Sequence, residues 1–257
     1  VIHNCGHSSH AKWQKNKTMI KQFLIFIIFS FLYAHDPLSI NPEWTYYTRL
    51  GVVDASLESQ GIATYGRLKR ITGHMFMDVR FYGHFFKKDA DLRIRQKTSR
   101  RFLKIPRLYT YNTLVYQKNT LVDVNLRYHY NQGLGWLIQK SEKGNLTLEA
   151  GIAFDNSDYL NTSQKTSYLK TGFTLDKDLP NFSTKLEMDY YHQFSEIIEN
   201  TELTRFQFVG EIQWNFRNNT SVICGFTHEY PIHQSFNFKT ASLFLTLAIT
   251  NSLPWKI

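Results

Sequence analysis

The feature that most constrains this chain is a two-residue period that persists through most of its length. In Arg205–Phe216 the residues Phe206, Phe208, Ile212, Trp214 and Phe216 alternate with Arg205, Gln207, Glu211, Gln213 and Asn215. Side chains of an extended strand point to opposite faces in turn, so such a segment presents one apolar and one polar face. The pattern recurs. Ser183–Phe194 sets Leu186, Met188 and Tyr190 against Lys185, Glu187, Asp189, Tyr191 and Gln193. Asn145–Asp155 sets Leu146, Leu148, Ala150, Ile152 and Phe154 against Asn145, Thr147, Glu149 and Asp155. In Leu121–Asn131, Val122, Val124, Leu126, Tyr128 and Tyr130 share a face opposite Asp123, Asn125, Arg127, His129 and Asn131. Ser242–Ile249 places Leu243, Leu245, Leu247 and Ile249 on one face.

Weaker alternation marks Trp44–Asp54, Gly61–Lys69, His74–Tyr82, Leu108–Gln117, Ser167–Leu175 and Ser221–Tyr230, and turn-forming clusters such as Lys143-Gly144-Asn145 and Asn218-Asn219 separate many segments. The segment Lys87–Arg107 carries nine basic residues against Asp89 and Asp91, and reads as one further strand plus a loop. Counting it gives twelve strands, with ten the next choice, because closed single-chain bacterial barrels have even strand numbers.

Alternation alone fits a soluble barrel as well as a membrane one. Three features favour the membrane. The polar face is charged in mid-strand, with Asp123, Arg127, Glu149, Lys185, Glu187, Asp189, Arg205 and Glu211 as candidate lumen charges. The strands run to the length that a tilted spanning strand needs, about 9–11 residues. Aromatics gather at strand ends, with Trp44, Tyr46, Trp136, Tyr190 and Trp214 as candidate interface residues. Lipid supplies no hydrogen-bond partner, so every strand amide must pair within a closed sheet. The expectation is an all-β, closed, antiparallel, up-and-down transmembrane β-barrel over residues 35–257.

Ahead of it, Phe23–Ala34 (FLIFIIFSFLYA) is apolar, uncharged and preceded by Lys21, which reads as a signal peptide over 19–34 with cleavage near Ala34. Residues 1–18 read as an upstream extension, whose His3, Cys5, His7 and His10 match no closed metal-site spacing. The formal net charge is +9, but Lys12, Lys15, Lys17 and Lys21 precede residue 35 and no acid does, leaving a modest +5 that does not argue for nucleic acid. Without Cys5, Cys224 stands alone and no internal disulfide forms. Ser195, His192 and Glu196 are close in sequence, which is no sign of triad geometry. Neither a catalytic residue nor a cofactor is expected.

The run Val122–Asn131, then Gly133-Leu134-Gly135-Trp136, then Leu146-Thr147-Leu148-Glu149-Ala150-Gly151 resembles the centre of the YdiY-like salt-induced outer-membrane proteins, domain-of-unknown-function family 481. Glu229-Tyr230-Pro231 and Leu243–Ile249 are similar to its closing hairpin. The resemblance extends over roughly residues 44–250 by strand order and implies an outer-membrane barrel with no assigned catalysis. Its partners would be outer-membrane lipid, lipopolysaccharide and the barrel assembly machinery. The function classes left open are a structural or permeability barrel linked to envelope or salt stress, a soluble periplasmic carrier of an apolar ligand, and a barrel enzyme acting on envelope lipid.

Overall fold

A computed structural model describes residues 44–56, 59–122, 124–141, 143–158, 164–195, 202–217, 219–232 and 241–253. The proposed leader, the upstream extension with its His and Cys residues, Asp123 and Glu196 lie outside the described residues. Twelve strands follow one another: β1 (Trp44–Ser56), β2 (Ser59–Ile71), β3 (Met75–Phe86), β4 (Ala90–Arg101), β5 (Leu108–Asn119), β6 (Val124–Ser141), β7 (Gly144–Ser157), β8 (Gln164–Asp178), β9 (Phe182–Gln193), β10 (Arg205–Arg217), β11 (Thr220–Pro231) and β12 (Ser242–Leu253). Each pairs antiparallel with its neighbours, and β1 closes on β12 from Trp44↔Leu253 to Asp54↔Leu243. Closure leaves no edge with unpaired amides, which is what a sheet in hydrocarbon requires.

The alternation sorts the side chains as the sequence anticipates. Leu50, Val52, Ile62, Leu148, Ile152, Phe154, Leu169, Ile212, Leu243, Leu245, Leu247 and Ile249 are exposed on the outer face, while Arg49, Asp78, Arg127, Glu149, Asp155, Lys170 and Arg205 are buried within. A continuous apolar exterior of this extent far exceeds the patches that a water-soluble monomer exposes. Aromatic contacts bracket it on β9–β11. At one level Tyr190, Phe206 and Tyr230 stand side by side, with centroids 4.7 and 5.6 Å apart. At the other Phe182 stacks on Trp214 at 6.4 Å, and Trp214 meets Phe216 at 6.2 Å. From Phe206 to Trp214 the strand runs about 27 Å, or roughly 20 Å along the axis after a tilt of about 40°, close to the band of about 25 Å that flanking girdles enclose.

The two ends differ. At the end where β1 begins and β12 finishes, the connections are residues 72–74, 102–107, 142–143, 179–181 and 218–219; at the other they are 57–58, 87–89, 120–123, 158–163, 194–204 and 232–241. Gly144, the first residue of β7, has φ 154, a value that disfavours a side chain.

The start of β6 departs from the expected register. A 3-10 turn, Thr120–Val122, replaces the first strand residues, and a bulge follows: Gln117 pairs with Arg127 but Asn119 pairs with Val124. The extra residue reverses the parity upstream of the bulge. Val124, expected on the lipid face, is therefore fully buried, and Asn125, expected inside, is exposed. Two glycines make room for rings in the lumen. A Cβ on Gly135 would meet the Tyr109 ring, and one on Gly225 would meet the Phe244 ring.

Candidate functional site: a charged lumen

The lumen is where the barrel concentrates chemistry. Three groups of charges occupy it. In the first, Arg127 Nη1 donates to Glu229 Oε1 at 2.6 Å and to Gln117 Oε1 at 3.2 Å, and Gln117 Nε2 donates to Glu229 Oε2 at 3.1 Å. Arg205 Nη2 donates to Asp155 Oδ2 at 2.9 Å, and the His129 ring contacts the same carboxylate. The Arg205 guanidinium also lies over the Tyr168 and Tyr191 rings, 4.6 and 4.4 Å from their centroids, a cation–π arrangement that favours a desolvated cation.

In the second group Lys97 pairs with Glu149, Lys170 Nζ reaches Glu149 at 3.4 Å and Asp189 at 3.0 Å, and the Tyr109 hydroxyl donates to Glu149 at 2.9 Å. In the third, Arg67 and Arg80 hold Asp78 at 2.6 and 2.5 Å. Arg80, Lys185 and Arg95 then converge on Glu187 at 3.0, 3.0 and 3.5 Å. Beside them Arg49 pairs with Glu211 at 2.6 Å.

Several of these contacts cross the lumen. In a ring of twelve, β3 and β9 are opposite, as are β5 and β11. Arg80 on β3 nevertheless touches Glu187 on β9, and Gln117 on β5 touches Glu229 on β11. Tyr82 on β3 reaches Thr227 on β11 at 3.1 Å. A circular barrel of this strand number would be about 24 Å across at the backbone, from a strand spacing of ~4.8 Å and a tilt of ~40°. An arginine and a glutamate extended toward each other span roughly 15 Å. The cross-section is therefore flattened, with β3–β5 drawn toward β9–β11. Between these charges lie two partly open cavities of about 50 and 80 Å3, with Arg93, Arg95, Glu187, Gln207 and Val209 lining both. Val53, Ala63, Ile223, Phe244 and Ala248 fill another part of the interior with apolar packing. Among the described residues, ion pairs and packing occupy much of the lumen.

Of the sequence-derived candidates, Arg127, Glu149, Lys185, Glu187, Asp189, Arg205 and Glu211 all face the lumen and take part in these pairs; Asp123 lies outside the described residues. Trp136 and Trp214 are exposed on the outer face. Tyr46 shares their outward orientation, and Trp44, also outward by register, is covered and carries the Arg70 guanidinium over its ring. Tyr190 belongs to the girdle at the opposite end. His192 points outward and stacks near Tyr190, while the Ser195 hydroxyl accepts the Ser167 amide, so these two do not face each other as nucleophile and base.

The candidate lumen charges did not include Arg49, Asp78, Arg80, Arg93, Arg95, Lys97, Lys170 and Glu229, nor Asp155, which the alternation placed on the polar face of its segment. The signal for three of them was present. Arg93, Arg95 and Lys97 alternate with Leu92, Ile94 and Gln96, so the middle of the basic run Lys87–Arg107 is a strand that turns these three toward the lumen. Lys87 and Lys88 sit in a turn at one end of the barrel and Lys104 and Arg107 in a turn at the other, so the run is not one patch.

A family model described as "Protein of unknown function, DUF481" matches residues 89–244, well over half of the chain. The chain belongs to the DUF481 family. The matched span begins just before β4 and ends in β12, so it takes in most of the lumen network of this DUF481 barrel. No curated protein matches its sequence significantly. Among solved structures the NanC porin is similar at a TM-score of 0.53 and 8% identity, over 79% of this chain and 98% of that one. The KdgM porin aligns at a TM-score of 0.45 and 6% identity, over 80% and 98% of the two chains. An outer-membrane channel from Pseudomonas putida F1 aligns at 0.46 and 12%, over 85% and 98%. At such identity the NanC likeness is one of fold alone, that of a closed antiparallel transmembrane β-barrel.

Proposed function

We propose that this DUF481 protein is an outer-membrane barrel acting as a restricted permeability element, its lumen held shut by ion pairs that cross between opposite walls. The observation that carries this reading is the convergence of Arg80, Arg95 and Lys185 on Glu187, which ties β3 and β4 to β9. A porin-type wall around a plugged lumen excludes hydrated solutes until the pairs rearrange. The end holding the start of β1 and the finish of β12 has connections of two to six residues and the other end includes the two longest, 194–204 and 232–241, in keeping with periplasmic turns and extracellular loops. Outer-membrane lipid, lipopolysaccharide and the assembly machinery are then its surroundings. A carrier of an apolar ligand needs an apolar interior, and the lumen here is lined by charge. The link to salt stress rests on the family resemblance. It has a physical counterpart, since added salt weakens ion pairs, buried ones least.

The test is conductance of the refolded protein in planar bilayers. Wild type is expected to conduct far less than an open barrel of the same strand number, and Glu187→Gln to conduct more. A large, steady wild-type conductance overturns the proposal.

A further inference from the structure

The smaller lumen cavity is lined by ion-paired cations that keep buried donors the closing network does not use. We propose that it is a binding site for one small free oxyanion, of the size of inorganic phosphate or a short carboxylate. Six cations line it, Arg93, Arg95, Lys97, Arg127, Lys170 and Arg205, against two acids, Glu187 and Asp189. The other acids of the network, Glu149, Asp155 and Glu229, pair with these cations without lining the cavity. Donor capacity is left over. Nε of Arg93 and Arg95 and Nη1 of Arg205 are buried with no hydrogen-bond partner among the described residues; Nε of Arg127 and Arg205 also make no hydrogen bond, with carboxylate oxygens of Asp155 and Glu229 at 3.8 and 3.5 Å. The Arg205 side chain is only 4% exposed, so these N–H groups have little access to bulk water.

Buried donors without acceptors are costly, and charged ones more so. An oxyanion accepts several at once and suits the planar guanidinium fork. The volume fits. At roughly 10–15 Å3 per water, about 50 Å3 holds three to five waters or one such anion. A space of this size inside the lumen suits a free anion better than a headgroup tethered to acyl chains in the surrounding lipid.

The inference rests on the lumen geometry and not on conduction. Full-length protein, refolded in detergent and verified by a heat-sensitive band shift on a gel, is titrated with inorganic phosphate by calorimetry, with glucose 6-phosphate in parallel. Saturable one-to-one phosphate binding, absent for the larger ester, is expected. Arg205→Gln abolishes it, but that residue also holds Asp155 and can compromise folding. Arg95→Gln, at a more exposed position, keeps the fold and weakens binding at least tenfold, whereas the exposed Lys177→Gln leaves it unchanged. No saturable binding to folded wild type, equal affinity in folded Arg95→Gln, or equal binding of glucose 6-phosphate each overturns the site. Phosphate binding without any conductance in either wild type or Glu187→Gln keeps the site and removes the permeability reading; a conductance that is small in wild type and rises in Glu187→Gln, without binding, does the reverse.

Discussion

Replacing Glu187 by glutamine tests whether the lumen is held by buried charge or merely decorated with it. The substitution keeps shape and volume and removes one negative charge facing Arg80 and Lys185 at 3.0 Å and Arg95 at 3.5 Å. At an effective dielectric of about 20, one contact at 3 Å is worth about 5 kcal/mol of attraction before desolvation is counted. Most of that offsets the cost of taking the ions out of water, but a variant that removes one partner leaves the other charges buried, a loss of about 3–5 kcal/mol. The four side chains are 12% to 21% exposed, so some solvation remains and the expected loss is near the lower bound, about 3 kcal/mol. That is roughly a hundredfold in the folding equilibrium. Urea unfolding in lipid vesicles, followed by tryptophan fluorescence and by the gel shift, measures it. A double-mutant cycle with Arg80→Met isolates the cross-lumen pair, with a coupling of about 1–3 kcal/mol expected. A loss below about 1 kcal/mol, typical of solvent-exposed pairs, would refute the reasoning, because the lumen would then be wet enough for its charges to behave as surface charges.

Three further outcomes follow from the geometry. Gly135→Val drives a side chain into the Tyr109 ring, so it should cost about 1–3 kcal/mol in the same unfolding assay and lower the stabilising effect of Glu149, whose bond from the Tyr109 hydroxyl is lost. Leu247→Lys places a cation on the exposed apolar face midway along β12 and should cost about 2–4 kcal/mol, against about 0–1 for a lysine near the interface; equal costs at both depths would argue against a bilayer-spanning face. Cys224 lies exposed on the outer face of β11, so in vesicles it should react with an apolar maleimide and resist a charged, membrane-impermeant thiol reagent. Rapid reaction with the charged reagent would place that face in water.

Much of the barrel was readable from the amino-acid order because side-chain orientation in a strand is a local property. Phe206 through Phe216 had to face one way and Arg205 through Asn215 the other, whatever the neighbours. The charge of the inner faces and the apolar outer faces followed from that period, and so did Arg127, Glu149, Lys185, Glu187, Asp189, Arg205 and Glu211 as lumen residues. The same period in Arg93, Arg95 and Lys97 was obscured by the basic residues of the turns on either side. Tertiary structure alone decided the rest. The bulge that turns Val124 inward depends on pairing with Asn119, a partner the local sequence does not specify. Which charges meet depends on barrel closure and flattening: Arg80 and Glu187 are far apart along the chain and on opposite walls, and only the approach of those walls puts them in contact. Which charges can meet therefore lay in the distance across the barrel, a quantity that no period in the sequence encodes.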